Sequence, residues 1–303
     1  MSKITSANSS IALTLAAACW GLGGVMTKSV LTSVPPLTLL VAQLAVSVAF
    51  LWAVTMAHKT YLPAPKEILR LGFTGLLNPG LAYTLSLIGL TFTTASMSAL
   101  LWAAEPILIL GLAWGILHER LAPGLIGFAA AAVFGVALVA GLSPNAGGGS
   151  SVFGNLLILA GVGCCAYYTV ITRRLAAEAD PLMVIAVQQT FALGWALAIW
   201  PVELWQGGWG EAVTLGAGAW AWVVASGLTY YALAFWFYIA GLKRIPASTA
   251  GQFLNLIPVF GVGAAMLFLG ERLSAMQWLG AALILAGVAG IVRMQPRGAT
   301  ATT

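Results

Sequence analysis

A chain of 303 residues that is 60% hydrophobic and only 7% charged has too few polar groups to cover a water-soluble globule. Its solvent is lipid. The net charge of +5 comes from thirteen Lys and Arg against eight Asp and Glu, and their placement below is explained by membrane topology, so it gives no reason to invoke nucleic acid.

A spanning helix needs roughly 20 predominantly apolar residues to cross about 30 Å of hydrocarbon. Ten such runs follow one another, at 11–31, 36–56, 68–89, 95–117, 122–141, 152–172, 181–202, 218–241, 247–269 and 274–292. A β-barrel would alternate in polarity, and runs such as 107–114 do not. The first run follows Lys3 and contains Ala16-Ala17-Ala18-Cys19, which invites a signal-peptide reading. It continues to Leu31, beyond the roughly 7 to 15 residues of a signal core, so a full span is expected. It also carries Trp20, Gly21, Gly24 and Lys28; the second opens at Pro35-Pro36 and holds Gln43. Asn78-Pro79-Gly80 interrupts the third, five residues before Tyr83. The fourth holds Trp102, Glu105 and Pro106, and the sixth Tyr168 with the adjacent pair Cys164-Cys165, which lacks metal or redox spacing. The seventh holds Gln188 and Gln189, the eighth Tyr231, and the ninth Gln252, Asn255 and Pro258.

Residues 95–121 recur as 247–273. Ala95-Ser96, Pro106, Gly111, Ala113, Leu117 and Glu119-Arg120-Leu121 are repeated 152 positions on as Ala247-Ser248, Pro258, Gly263, Ala265, Leu269 and Glu271-Arg272-Leu273, 9 identities in 27 positions. Gly75-Leu76 and Gly89-Leu90 recur at the same offset, while Lys28, Pro35 and Gln43 pair with Arg174, Pro181 and Gln189 at an offset of 146. The expected organisation is a first repeat over 1–141, a linker over 142–151 rich in Gly and Ser, a second repeat over 152–293 and a tail over 294–303. Five spans per repeat force the second copy to start on the opposite side of the membrane. The fold class is therefore an all-α membrane protein of ten transmembrane helices in two inverted five-helix repeats, an arrangement that in transporters places substrate near the midplane between the halves.

With a cytoplasmic N-terminus, Lys3, Lys59, Lys66, Arg70, Arg120, Arg173, Arg174, Lys243, Arg244, Arg293 and Arg297 lie inside, and only Lys28 and Arg272 outside. Eleven against two fixes the expected orientation, with both termini cytoplasmic.

Glu105 is the one carboxylate well inside a span, and its repeat partner, Ile257, is apolar. An ionisable group at that depth is a functional candidate by default, here for coupling transport to protons or for holding a cation; a boundary position or a helix–helix hydrogen bond is the bland alternative. Pro79, Pro106 and Pro258 are candidate kinks for gating, because a mid-helix proline frees a carbonyl that its surroundings must satisfy. Asn78 and Tyr231 stand where the two repeats differ in sequence, and Gln252 and Asn255 share a face three residues apart, so all four are candidate substrate contacts. Amides also serve as interhelical glue. Trp52, Trp205, Trp209, Trp220 and Trp278 fall near span ends and suit interfacial anchoring. Trp20, Tyr83, Trp102 and Tyr168 lie deeper, where their rings could stack on a substrate or simply pack. Glycines 21 and 24 suit close helix approach.

Trp20-Gly21 with Lys28, Pro35-Pro36, Glu105-Pro106, and His118-Glu119-Arg120-Leu121 echoed by Gly270-Glu271-Arg272-Leu273 together resemble the drug/metabolite transporter superfamily, specifically its ten-span EamA-type members, over residues 10–293. Within that family the chain is most similar to the YddG-like exporters of aromatic amino acids. The resemblance implies efflux through a central cavity lined by the first, third, fourth, sixth, eighth and ninth spans. Family members often carry Arg in the second span where this chain has Gln43, so no role of that Arg carries over.

Three function classes compete. An inner-membrane secondary transporter exporting small metabolites, above all aromatic amino acids, fits the inverted repeats, broken helices and sparse mid-membrane polar groups; a lipophilic-cation or multidrug exporter is its close alternative. A channel would show charged or carbonyl rings around a symmetric pore. An enzyme would need a nucleophile with its base, or clustered ligands; His58 and His118 sit at loops. ATP-driven pumping would need a phosphate loop, and no GxxxxGK[ST] occurs. The expected partners are a small-molecule substrate and the lipid bilayer, with no cofactor, no metal and no nucleic acid, and a single chain could be complete as a monomer.

Overall fold

The computed structural model describes residues 6–58, 64–117, 123–140, 151–172, 180–205, 207, 216–242 and 253–294. Ten helical rods account for nearly all of them, with no strand among the described residues. They are α1 (Ser6–Val30), α2 (Pro36–Ala57), α3 (Pro65–Thr91), α4 (Ala95–Trp102 continuing as Glu105–Leu117), α5 (Pro123–Ala140), α6 (Val152–Thr172), α7 (Pro181–Trp205), α8 (Ala217–Gly227, Leu228–Leu233 and Ala234–Leu242), α9 (Ile257–Phe268 and the turn before it) and α10 (Ala275–Met294). Six are long and apolar enough to cross a membrane, namely α1, α2, α3, α6, α7 and α8, and α4, α5, α9 and α10 supply shorter apolar stretches. Within hydrocarbon every backbone group must be satisfied internally, which leaves helices as the solution for such sequences. Pro36, Pro65, Pro123 and Pro181 each open a rod, where a missing N–H costs nothing and the fixed φ favours the first turn.

The breaks in the rods obey the sequence repeat. A wider π turn interrupts α3 at Leu76–Leu81 and α8 at Leu228–Leu233, 152 residues apart. Asn78 is extended inside the first (φ −142°, ψ 117°), and the Asn78–Pro79 peptide is cis. The two turns share only their first and last leucines, and the extended residue and cis peptide occur in the first alone, so the wide turn recurs in position while its interior differs. A second pair of breaks falls at Ala103-Ala104 in α4 and at Asn255-Leu256 before α9. This corrects the expectation that Pro106 and Pro258 sit in mid-helix. The helices restart at Glu105 and Ile257, one residue before each proline. Each proline therefore occupies a first helical turn and removes no hydrogen bond.

Helix contacts cross between repeats in matched pairs. α1 lies against α8 and α9, as α6 lies against α3 and α4; α2 packs on α7, and α5 on α10. Glycines make the close approaches possible. A Cβ on Gly89 would sit 2.6 Å from the Gly154 carbonyl of α6, and one on Gly241 3.2 Å from the Ser9 carbonyl of α1. In the α5–α10 pair, Cβ atoms on Gly135 and Gly287 would meet the carbonyls of Gly280 and Phe128, each at 2.6 Å. Those contacts keep the 152-residue offset. With lipid on the outside there is little hydrophobic gain in helix association, so van der Waals fit and buried hydrogen bonds carry it. The bonds are paired as well. Gln43 donates to Ser226 Oγ (2.7 Å) and Thr27 Oγ1 (3.0 Å), tying α2 to α8 and α1. Gln188 donates to Thr74 Oγ1 (2.9 Å), the repeat equivalent of Ser226, tying α7 to α3. Apart from Ser151 and Met294, the linker and the tail lie outside the described residues, as do most of the basic residues behind the predicted orientation.

Candidate functional site

The wide turns of α3 and α8 and the break in α4 bring aromatic side chains together. Tyr83, one helical residue beyond the end of the α3 turn, stands 5.1 Å from Tyr231, 5.6 Å from Tyr230 and 5.5 Å from Trp102, ring centre to ring centre. Tyr230 and Tyr231 meet edge to face at 5.2 Å. Trp102 ends the first segment of α4 and touches both large apolar clusters of the protein, one built on α4, α5, α6 and α10, the other on α2, α3, α7 and α8. Three of the predicted aromatic residues thus converge, and Tyr230, passed over in the sequence in favour of its neighbour, joins them. Its signal was Gly23: a Cβ there would lie 2.7 Å from Tyr230 Cβ, so the glycine makes room for the ring.

Glu105 opens the second segment of α4 and points at α6. Its carboxylate accepts a hydrogen bond from the Cys165 thiol at 3.3 Å, with the Thr169 hydroxyl also against it. Tyr83 and Tyr238 are within its electrostatic reach. Trp20 of α1 packs edge-on to Tyr238 (5.5 Å) and Phe235 (5.1 Å) of α8. Glu105 thus interacts electrostatically with one member of each of two aromatic groups, Tyr83 of Tyr83–Trp102–Tyr230–Tyr231 and Tyr238 of Trp20–Phe235–Tyr238. Thr169 and Tyr238 were not singled out in the sequence, and Cys165 only as one of an adjacent cysteine pair; the fold brings all three near the carboxylate.

Among the described residues, eight buried side-chain polar atoms have no hydrogen-bond partner; Trp20 Nε1, Trp102 Nε1, the Tyr231 hydroxyl, Asn78 Oδ1 and Ser86 Oγ are five of them, and Ser9, Gln43 and Ser96 supply the others. Tyr231 is fully buried. Leaving a buried polar group unmet costs about 1–3 kcal/mol, and native structures hold few of them.

Other predicted residues are engaged elsewhere. Tyr168 exchanges hydrogen bonds with the Gln188 amide at 2.7–3.0 Å and so belongs to the α3–α6–α7 network through Thr74. Ser47 donates to Gln189, which in turn donates to the Tyr231 carbonyl at 3.3 Å. Asn255 lies in the break before α9, two residues short of the position matching Glu105. Pro79 is buried within the α3 turn, and Gln252 lies outside the described residues. Among the described residues no three His, Cys, Asp or Glu side chains gather to hold a metal ion.

At the end of the bundle where α1 finishes, two glutamates cap helices that are distant in sequence. Glu203 of α7 accepts from the Leu37 and Thr38 amides (2.8 and 2.7 Å) and the Thr38 hydroxyl (2.7 Å). Glu271, in the α9–α10 turn, accepts from the Ala95 and Ser96 amides at 2.8 Å each. Lys28 Nζ donates to the Leu90 carbonyl near the end of α3 at 2.7 Å, within electrostatic reach of Glu271.

Comparison with known proteins agrees with this architecture. The EamA-like transporter family profile matches twice, over residues 8–141 and 152–293. The uncharacterized transporter YetK of Bacillus subtilis (strain 168) is 26% identical over 204 residues, 67% of this chain and 61% of its own length. This chain therefore aligns with less than two thirds of that relative. A crystal structure 21% identical in sequence superposes with a TM-score of 0.60, covering 93% of this chain and 96% of its own, and so shares the fold.

Proposed function

We propose that the chain, which belongs to the EamA-like transporter family, exports small amphoteric metabolites, aromatic amino acids above all, by alternating access between its two repeats. The observation that carries this reading is the set of donors without a hydrogen-bond partner among the described residues, Trp20 Nε1, Trp102 Nε1 and the Tyr231 hydroxyl, in aromatic groups near the half-buried Glu105. Indole N–H groups can only donate. They call for a substrate with an acceptor, such as a carboxylate, while Glu105 offers an acceptor to an ammonium and the rings offer faces to an aromatic side chain. A lipophilic quaternary cation has no acceptor and would leave both indoles unmet. The cation reading is kept by one feature, a carboxylate near two sets of rings. The charge distribution in the sequence supports a bacterial-type inner-membrane orientation with both termini cytoplasmic, which puts the Lys28–Glu271 end outside.

The proposal is tested with purified protein in liposomes, by counterflow of labelled tryptophan, threonine and a quaternary-ammonium dye, with and without an imposed pH gradient. Preferential tryptophan exchange is expected. Dye transport without amino acid transport would replace this reading with the cation exporter.

A further inference from the structure

We propose that Glu271 and Lys28 form a releasable latch that closes the bundle at the end where α1 finishes, with Glu271 acting as a positioning residue for the α4 segment that carries Trp102. The proposal requires no particular substrate.

Glu271 belongs to the second repeat, in the turn between α9 and α10, yet both its carboxylate oxygens are taken by backbone amides of the first repeat, Ala95 and Ser96. That pairing is stronger than a neutral cap, because the acceptor is charged and faces the positive end of a helix dipole. Thr94 already caps the same helix through its side chain, accepting from Met97 at 3.1 Å. The helix start is thus satisfied from within its own repeat, and Glu271 adds a link across repeats. Lys28 supplies the other arm. It reaches from α1 to the Leu90 carbonyl of α3, just before the short turn that leads into α4, and lies close enough to Glu271 for their charges to interact. The two side chains together clamp the α3–α4 turn between α1 and the α9–α10 turn.

Beneath the latch the same elements meet through small side chains. Val25 of α1, Ala95 of α4, and Ala264 and Ala265 of α9 form one buried cluster. A Cβ on Gly21 would lie 2.7 Å from the Gly261 backbone, and one on Gly261 2.7 Å from Ala99 Cβ. Smooth surfaces of this kind close tightly and part without unthreading large side chains, so polar links above them decide whether they stay shut. The capped segment is eight residues long, so its far end, Trp102, stands roughly 10 Å along the axis from the Glu271 carboxylate. Movement of the α9–α10 turn is thereby carried to the aromatic cluster.

A latch differs from a local cap in being shared: breaking one arm loosens the other. The test is hydrogen–deuterium exchange of the full-length protein in lipid nanodiscs, read on peptides containing the Ala95 and Ser96 amides. Glu271→Gln should raise their exchange about tenfold, the loss expected for a charged cap. Lys28→Met removes a bond to Leu90 alone, yet should raise exchange at Ala95 and Ser96 several-fold. Glu203→Gln removes a cap of the same chemistry at the same end and should loosen Leu37 and Thr38 only. If Lys28→Met leaves the Ala95 and Ser96 amides at wild-type protection, or Glu203→Gln loosens them equally, Glu271 is a local structural cap and the latch is wrong.

Discussion

Single side chains around Glu105 carry a conflict between stability and purpose that mutation can separate. Tyr231 is fully buried with its hydroxyl unmet, so Tyr231→Phe removes an unsatisfied group and keeps the ring. Thermal stability in detergent should stay level or rise, by up to about 1–3 kcal/mol in the limit, while counterflow of tryptophan falls roughly tenfold if the hydroxyl meets substrate. Unchanged transport with raised stability would make Tyr231 a packing residue. Trp102→Phe tests the indole in the same way, since it retains the contact with Tyr83 and deletes an unpaired donor. Its loss should appear in apparent affinity, and a variant with wild-type affinity would remove Trp102 from the site. Neither conflict is visible in the sequence, where a tryptophan in a span reads equally as ligand contact or filler. The unpaired atoms tell them apart, and those depend on every neighbour the fold supplies.

At the scale of elements, the sequence showed where each rod runs, because a run of apolar residues in lipid has few alternatives to a helix. It placed the interruption at Asn78-Pro79-Gly80 where the structure has it, and misplaced the breaks near Pro106 and Pro258. Proline was read as the cause of the breaks, yet the wide turn of α8 contains no proline and falls at the same position in its repeat as that of α3. Such turns are set by how helices from the two repeats cross, which local propensity does not encode. Glycine was the better guide. Gly21 lies against the backbone of α9, with a Cβ meeting the Gly261 nitrogen at 2.7 Å and the Ile257 carbonyl at 2.9 Å, whereas Gly263 of α9 has open space around it. Gly21→Ala must therefore push α1 away from α9 and should lower stability by about 1–3 kcal/mol, and Gly263→Ala should be neutral within about 0.5 kcal/mol. Thermal unfolding in one detergent decides it, and equal stability of the two variants would mean that the α1–α9 contact does not hold the fold.

For the whole molecule, the duplicated Glu-Arg-Leu was legible as evidence of a repeat but not as a device, because its meaning lies in which backbone it reaches. Glu271 reaches Ala95 and Ser96, which open the other copy of the same repeated segment. The duplication is thus linked across its two copies, and rods pair across the repeats, α1 with α8 and α9, α6 with α3 and α4. The two repeats differ at the position of Glu105. Glu105 faces Cys165 and Thr169 in one half, while Ile257 stands at its place in the other. The charging cost of a carboxyl inside a span depends on what sits beside it. If Glu105 couples transport to protons, Glu105→Gln should lose the stimulation of net tryptophan flux by an imposed pH gradient, while retaining tryptophan–tryptophan exchange at no less than about a third of the wild-type rate. Exchange needs the substrate site and the alternation of access but no net proton movement, so the two assays separate coupling from binding. Gradient-driven flux that survives intact in the variant would assign the proton to another group, and loss of both activities would place Glu105 in the substrate site itself.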